Sequence, residues 1–168
     1  MNDLDKILPQ PERRILDTRR EYLDAFDQLL LVVRHELRIF DPDTVQLELN
    51  APQRLESLRR FLLASRDHRL YVAVHDTDHI TRHSPRVMQL LAEFSAQIAV
   101  NQTEGDAARA ADCFVLADMD HFVRRPVAGA ARGVYALNEF HEARLFRERY
   151  DEIWHSSVPA VSATTLGL

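Results

Sequence analysis

The densest set of potential metal ligands is His75-Asp76-Thr77-Asp78-His79, with His83 four residues further on. Imidazole and carboxylate together suit zinc, manganese or iron. The spacing follows no established metal motif, and the competing reading is a solvated loop leading into Ser84-Pro85. A second set, His121, Arg124, Arg125 and Arg132, is basic, and arginine forks suit phosphates or carboxylates. Against an anion site there, strand alternation would put one of the adjacent arginines at the surface. The other would then pair with Asp118, Asp120 or Glu139. The third candidate is Cys113, a thiol nucleophile if a histidine stands beside it. It opens an apolar run, where a lone cysteine more often packs as a small hydrophobe.

Composition narrows the chemistry. Acidic residues number 26 and basic ones 21, for a net charge of −5. That sign weighs against duplex DNA as a partner, so a nucleic-acid site on Arg124, Arg125 and Arg132 is disfavoured. Lys6 is the only lysine, against twenty arginines. Schiff-base chemistry, a phosphate-loop lysine and a lysine nucleophile are nearly excluded. The single cysteine permits no internal disulfide and no Cys-x-x-Cys metal site, and a reducing cytoplasm is the expected location. No apolar run approaches the ~18 residues of a membrane span, and the start is acidic and polar, without a secretory pattern. No cofactor is called for.

The elements that must position these groups follow from periodicity. Tyr22, Ala25, Phe26, Leu29, Leu30 and Val33 recur at helical spacing and predict a helix over 17–36. Leu37 to Phe40 is a short strand stopped by the turn signal Asp41-Pro42-Asp43. Val45, Leu47 and Leu49 alternate like a strand. Asn50 and Pro52 open a helix whose buried face is Leu55, Leu58, Phe61 and Leu62. Leu70 to Val74 is the clearest buried strand, and the polar loop His75 to His83 follows it. Ser84-Pro85 starts another helix, and Ile98 to Val100 is a third strand. Helices and strands so alternate in the first half, the signature of a parallel sheet with crossover helices.

Thereafter the rhythm changes. Cys113 to Ala117, His121 to Arg124 and Gly133 to Leu137 are short strands without helices between them, with a hairpin turn at Asp118-Met119-Asp120. Asn138 caps a last helix in which Phe140, Ala143, Phe146, Tyr150, Ile153 and Trp154 face inward. The end, from Ser156 to Leu168, is small and polar. The organisation expected is a flexible leader over residues 1–16 and one α/β domain over 17–168. Its mixed sheet is parallel in the first half and antiparallel in the second, with helices on both faces.

This order resembles one half of the phospholipase D fold. More closely, the chain is similar to a family of uncharacterised bacterial phospholipase D-like domains. The stretches that carry the likeness are Leu37-Arg-Ile-Phe-Asp-Pro42, Leu70-Tyr-Val-Ala-Val74, Cys113-Phe-Val-Leu-Ala-Asp118 and Val123-Arg-Arg-Pro126. The ending Tyr150-Asp-Glu-Ile-Trp-His-Ser156 with Leu166-Gly-Leu168 completes them.

Active phospholipase D enzymes use His-x-Lys, four residues, then Asp: the histidine attacks phosphorus, the lysine neutralises phosphate oxygens and the aspartate fixes local structure. With Asp118 as that aspartate, Ala111 takes the histidine place and Cys113 the lysine place. Both reactive groups are gone, and no other stretch can hold the motif with Lys6 as sole lysine. The resemblance thus implies the fold and argues against the activity. It implies a non-catalytic accessory domain binding a partner protein or an anionic ligand. A homodimer is implied by single-half relatives, and an acetyltransferase partner by related chains. The alternative is a metal- or arginine-assisted phosphoesterase built on the His75–His83 loop.

Overall fold

The computed structural model describes residues 9–162. Eight strands form one mixed sheet and five helices pack on it. The strands are β1 (Glu12–Leu16), β2 (Glu36–Asp41), β3 (Arg69–Val74), β4 (Ile98–Thr103), β5 (Cys113–Ala117), β6 (His121–Arg125), β7 (Gly133–Leu137) and β8 (Ser157–Val161). Their order across the sheet is β1-β7-β6-β5-β2-β3-β4-β8. β2, β3 and β4 run parallel and the other neighbours antiparallel. The helices are α1 (Arg19–Val32), α2 (Pro52–Ala64), α3 (Asp78–His83), α4 (Pro85–Glu93) and α5 (Phe140–His155).

The two faces bury separate cores. Tyr22 and Phe26 of α1, Leu58 of α2, Ile80 of α3 and Met88 of α4 pack on Ile39, Val72, Cys113, Val115 and Val123. On the other face Ala143, Tyr150 and Ile153 of α5 cover Phe40, Phe114, Leu116 and Phe122. Alternation decides which strand residue faces which helix layer. β5 is buried along its whole length because it lies between β6 and β2 with helices on both sides. The α/β class, the mixed sheet and the two helix layers are those the sequence predicts. Among the described residues no helix is long and apolar enough to cross a membrane.

Several local expectations are corrected. Residues 12–16, expected within the leader, form edge strand β1, paired with β7 from Glu12↔Leu137 to Leu16↔Gly133. Only Leu16 of that strand is buried. An edge strand is held by backbone bonds and needs no apolar pattern. Lys6 and Leu166-Gly-Leu168 fall outside the described residues. Part of the polar ending is edge strand β8, antiparallel to β4.

Helix α1 stops at Val32, short of the expected end, because the backbone of Arg34 to Glu36 is turned toward Asp118. Val45–Leu47 is a single 3₁₀ turn, not a strand, flanked by Thr44 and Glu48 at φ 66° and 46°. Asn50 does not cap α2; its Oδ1 accepts from Arg86 N–H, in the first turn of α4. The His75–His83 loop contains α3. Glu139, not Asn138, precedes α5, and Phe140 is exposed. At the head of β7, a Cβ on Gly133 would meet the Arg124 carbonyl oxygen at 2.5 Å, so glycine is required there.

Candidate functional site

The stretch that the resemblance aligns with the motif, Ala111 to Asp118, covers β5 and the turn after it. Ala111, at the histidine place, is exposed just before the strand, and its carbonyl accepts from Ala128 N–H at 2.7 Å. Cys113, at the lysine place, has no exposed surface. Its Sγ lies 3.7 Å from Tyr22 Oη, and burial pushes the thiol pKa up. Asp118 keeps a defined task. Its carboxylate accepts from the N–H groups of Arg34 (2.9 Å), His35 (2.7 Å) and Glu36 (3.1 Å). It thereby ties the entry of β2 to the end of β5, while its own φ of 58° makes the hairpin turn.

Arg125 stands opposite Cys113 in the β5–β6 register and is 2% exposed. Its guanidinium lies 4.0 Å from the Tyr22 ring centroid, a cation–π arrangement. Nη1 donates to the Ala130 carbonyl at 3.1 Å, while Nε has no acceptor. Asp41, at the end of β2, is also buried. Burial raises its pKa, against the pull of its bonds from Thr44 and Asp43 N–H and of the Arg125 charge.

The four expected anion-binding residues do not converge. Arg124 faces α5, 5.3 Å from the Phe146 ring centroid and 4.0 Å from Glu142, whereas Arg125 faces α1. His121 begins β6, about 13 Å along the strand from Arg125. Its Nδ1 accepts from Asn138 N–H at 3.0 Å and its Nε2 lies 3.4 Å from Asp120. Arg132 is exposed in the loop before β7. Neither arginine of the pair meets Asp118, Asp120 or Glu139.

The expected metal residues are likewise separated. Both ring nitrogens of His75 are engaged, Nδ1 with Thr103 Oγ1 at 2.6 Å and Nε2 with the Ala110 carbonyl at 2.9 Å. A carbonyl only accepts, so Nε2 carries the proton. Asp76 caps Asp78 N–H at 2.8 Å. Asp78 pairs with Arg82 at 2.9 Å and reaches His83 at 4.0 Å. The rings of His79 and His83 are 5.9 Å apart. Among the described residues, no three His, Cys, Asp or Glu side chains are placed to share an ion.

A feature the sequence reading did not single out lies at the C-terminal end of β2. Asp41, Pro42, Asp43, Val45 and Gln46 face Ala128 and Gly129 across a cavity of about 220 Å³. Through the Ala128–Ala111 bond it abuts the motif's histidine place. Open α/β sheets place ligands beyond the carboxyl ends of their strands. Thr44, a β-branched residue in the left-handed region, marks a costly backbone here. The signal was present as Asp41-Pro42-Asp43, but it reads as a turn.

Residues 18–166 match the family described as Domain of unknown function (DUF7931). The chain belongs to that family. No curated protein matches it. Among solved structures, the DUF7931 chain is similar to Nuc, a phospholipase D family member from Salmonella typhimurium. The TM-score is 0.62 at 14% identity, over 91% of this chain and 100% of that one. NucT from Helicobacter pylori gives a TM-score of 0.64 at 11% identity, over 90% of this chain and 100% of that one. TrmBL2, an archaeal chromatin protein, gives 0.63 at 9% identity over 88% of this chain. This chain covers 54% of TrmBL2, about half its length. At such identities the likeness is one of fold, and the fold of the DUF7931 chain is phospholipase D-like.

Proposed function

We propose that this chain is a non-catalytic module of the phospholipase D fold that works by binding another protein. The observation that carries this reading is the state of the motif strand. The lysine place holds a cysteine with no exposed surface, the histidine place holds a methyl group, and the aspartate is spent on three backbone bonds. Phosphoryl transfer through such a motif needs a nucleophile and a cation at the phosphorus, and neither side chain is present at those places. A partner protein is preferred over a small anion because the basic residues are dispersed, and the ionisable groups lining the rim cavity are both carboxylates.

The test is turnover of bis(p-nitrophenyl) phosphate by the purified chain, with and without zinc, manganese and a chelator. The expected rate is that of buffer in every condition. A rate that co-purifies with the chain and falls on His75→Ala would overturn the reading in favour of the metal-assisted esterase. One that survives this change but falls on Arg125→Ala would overturn it in favour of the arginine-assisted one.

A further inference from the structure

We propose that a pocket at the start of β2, walled by the rings of Tyr71, Tyr150 and Trp154, receives the guanidinium of an arginine on the partner protein. The assignment rests on the binding-module reading above and names the chemistry of its partner.

Glu36, Arg38, Tyr71, Tyr150, Asp151 and Trp154 enclose about 190 Å³ between α5 and the first residues of β2 and β3. The pocket is about 17 Å along β2 from Asp41, at the opposite end of the strand from Ala111. Its rings form a corner. Tyr71 meets Trp154 edge-on, with centroids 5.4 Å apart at 70°, and Tyr150 stacks on Trp154 at 5.9 Å and 17°. Tyrosine, tryptophan and arginine are the residues that carry most of the binding energy at protein interfaces.

Tyr150 points to a guest. It is 2% exposed, and its Oη is buried without a hydrogen-bond partner. The hydroxyl is turned toward this pocket, because the groups that act on it through space are Arg38, Glu36, Tyr71 and Asp151, all of them pocket walls. Burial pushes its pKa up, so it stands as a neutral phenol whose oxygen can accept. A phenylalanine would fill the same space without the cost of an unpaired oxygen. Packing alone therefore does not account for the hydroxyl.

The charge of the guest follows from the lining. Glu36 and Asp151 share one cation: Arg38 Nη2 lies 3.0 Å from Glu36 and Nη1 3.4 Å from Asp151. The Arg38 guanidinium lies 5.7 Å from the Tyr150 ring centroid, and no other basic side chain lines the pocket. Arg147, nearby on α5, is bonded to the Met119 carbonyl and lies over Phe140. An anion would have to displace a carboxylate to reach Arg38. A second guanidinium balances the charge, pairs with Asp151, donates to Tyr150 Oη and lays its flat face on Trp154. An ammonium is more strongly hydrated and has no flat face to stack.

Trp154 is the only tryptophan of the chain, so its emission reports on this pocket directly. The full chain is titrated with a capped Gly-Arg-Gly peptide. The comparison probes are the citrulline analogue, which has the same shape without the charge, the lysine analogue, methyl glucoside and dimethyl phosphate. The expected result is a saturable change with arginine, about tenfold weaker binding of citrulline, weaker binding of lysine, and none of the sugar or the phosphate. Tyr150→Phe should weaken the arginine peptide by about fivefold without lowering the unfolding midpoint, since the unliganded chain leaves that hydroxyl unbonded. Asp151→Asn, at a side chain 58% exposed, should weaken it as well.

Absence of saturation, citrulline or lysine binding as tightly as arginine, saturation by the sugar or the phosphate instead, or undiminished binding by Tyr150→Phe would overturn the assignment. Tighter binding of agmatine than of the peptide would give the pocket to a free amine and overturn the protein partner. The phosphodiester assay is independent. No turnover with no arginine binding sinks the ligand alone, and turnover with arginine binding sinks the non-catalytic reading alone.

Discussion

Replacing Asp118 separates a working carboxylate from a mere turn residue. The side chain is 13% exposed and accepts three backbone hydrogen bonds from one short segment. A hydrogen bond to a charged group contributes about 1.5–3 kcal/mol, so independent bonds would sum to roughly 5–9 kcal/mol. They are not independent, and Arg34 and His35 are exposed, so their N–H groups turn to water when the carboxylate is lost. Asp118→Ala is therefore expected to cost about 2–3 kcal/mol, mainly through the half-buried Glu36 N–H and the left-handed backbone.

Glycine at the same place loses the carboxylate but not the backbone freedom, since φ is 58°. It should cost about 1 kcal/mol less than alanine. Asparagine keeps one acceptor and tolerates that φ, and should cost about 1 kcal/mol. Urea midpoints at unchanged slope read all three. If alanine and glycine both sit within about 0.5 kcal/mol of the parent, the surface-substitution range, the carboxylate holds nothing and the scaffold argument fails.

Two further outcomes follow from the buried cluster. Arg125→Met should destabilise the chain more at neutral than at mildly acid pH. Burial already raises the Asp41 pKa and Arg125 opposes that rise. A folded state that holds the proton more tightly is penalised above the folded pKa, and the penalty disappears below the unfolded one. An equal loss of urea midpoint at both pH values would show that the Arg125 charge does not serve Asp41. Cys113, with its thiol sealed and its pKa pushed up, should be inert to a disulfide reagent in the folded chain and react fully in denaturant. Fast stoichiometric labelling of the native chain would contradict the burial.

The fold was legible where burial imposes a pattern. Leu70 to Val74 and Cys113 to Ala117 lie inside the sheet, so both are apolar runs that admit one reading. β1 and β8 were illegible for the opposite reason. As edge strands they bury Leu16 and Val161 but little else, and backbone pairing writes nothing into side-chain type. The site was half legible. The resemblance placed Ala111 and Cys113 where histidine and lysine are expected, and the structure shows that Cys113 is sealed in the sheet. The burial of Arg125 could not be read: alternation correctly sends one arginine inward, but the ring it meets, Tyr22, is distant in sequence and set by the packing of α1 on the sheet. The cavity was hidden for a related reason, since Asp41-Pro42-Asp43 is a turn whatever stands opposite, and Ala128-Gly129 carries no chemistry of its own.

Histidine at Ala111 and lysine at Cys113 would not by themselves make a phosphodiesterase of this fold. A lysine at Cys113 would have to lay its stem where the Tyr22 ring stands, at a strand position with no exposed surface. Overpacking of that kind costs about 1–3 kcal/mol. Its ammonium would also share the space of the Arg125 guanidinium, and two buried like charges oppose each other. Arg125 itself supplies a cation beside the motif, but one turned inward against an aromatic face, where no phosphate can reach it. The buried arginine thus lies in the core, while the cavity beside Ala111 is lined by the carboxylates of Asp41 and Asp43 and by no basic side chain. That is the reverse of the polarity a phosphodiester requires.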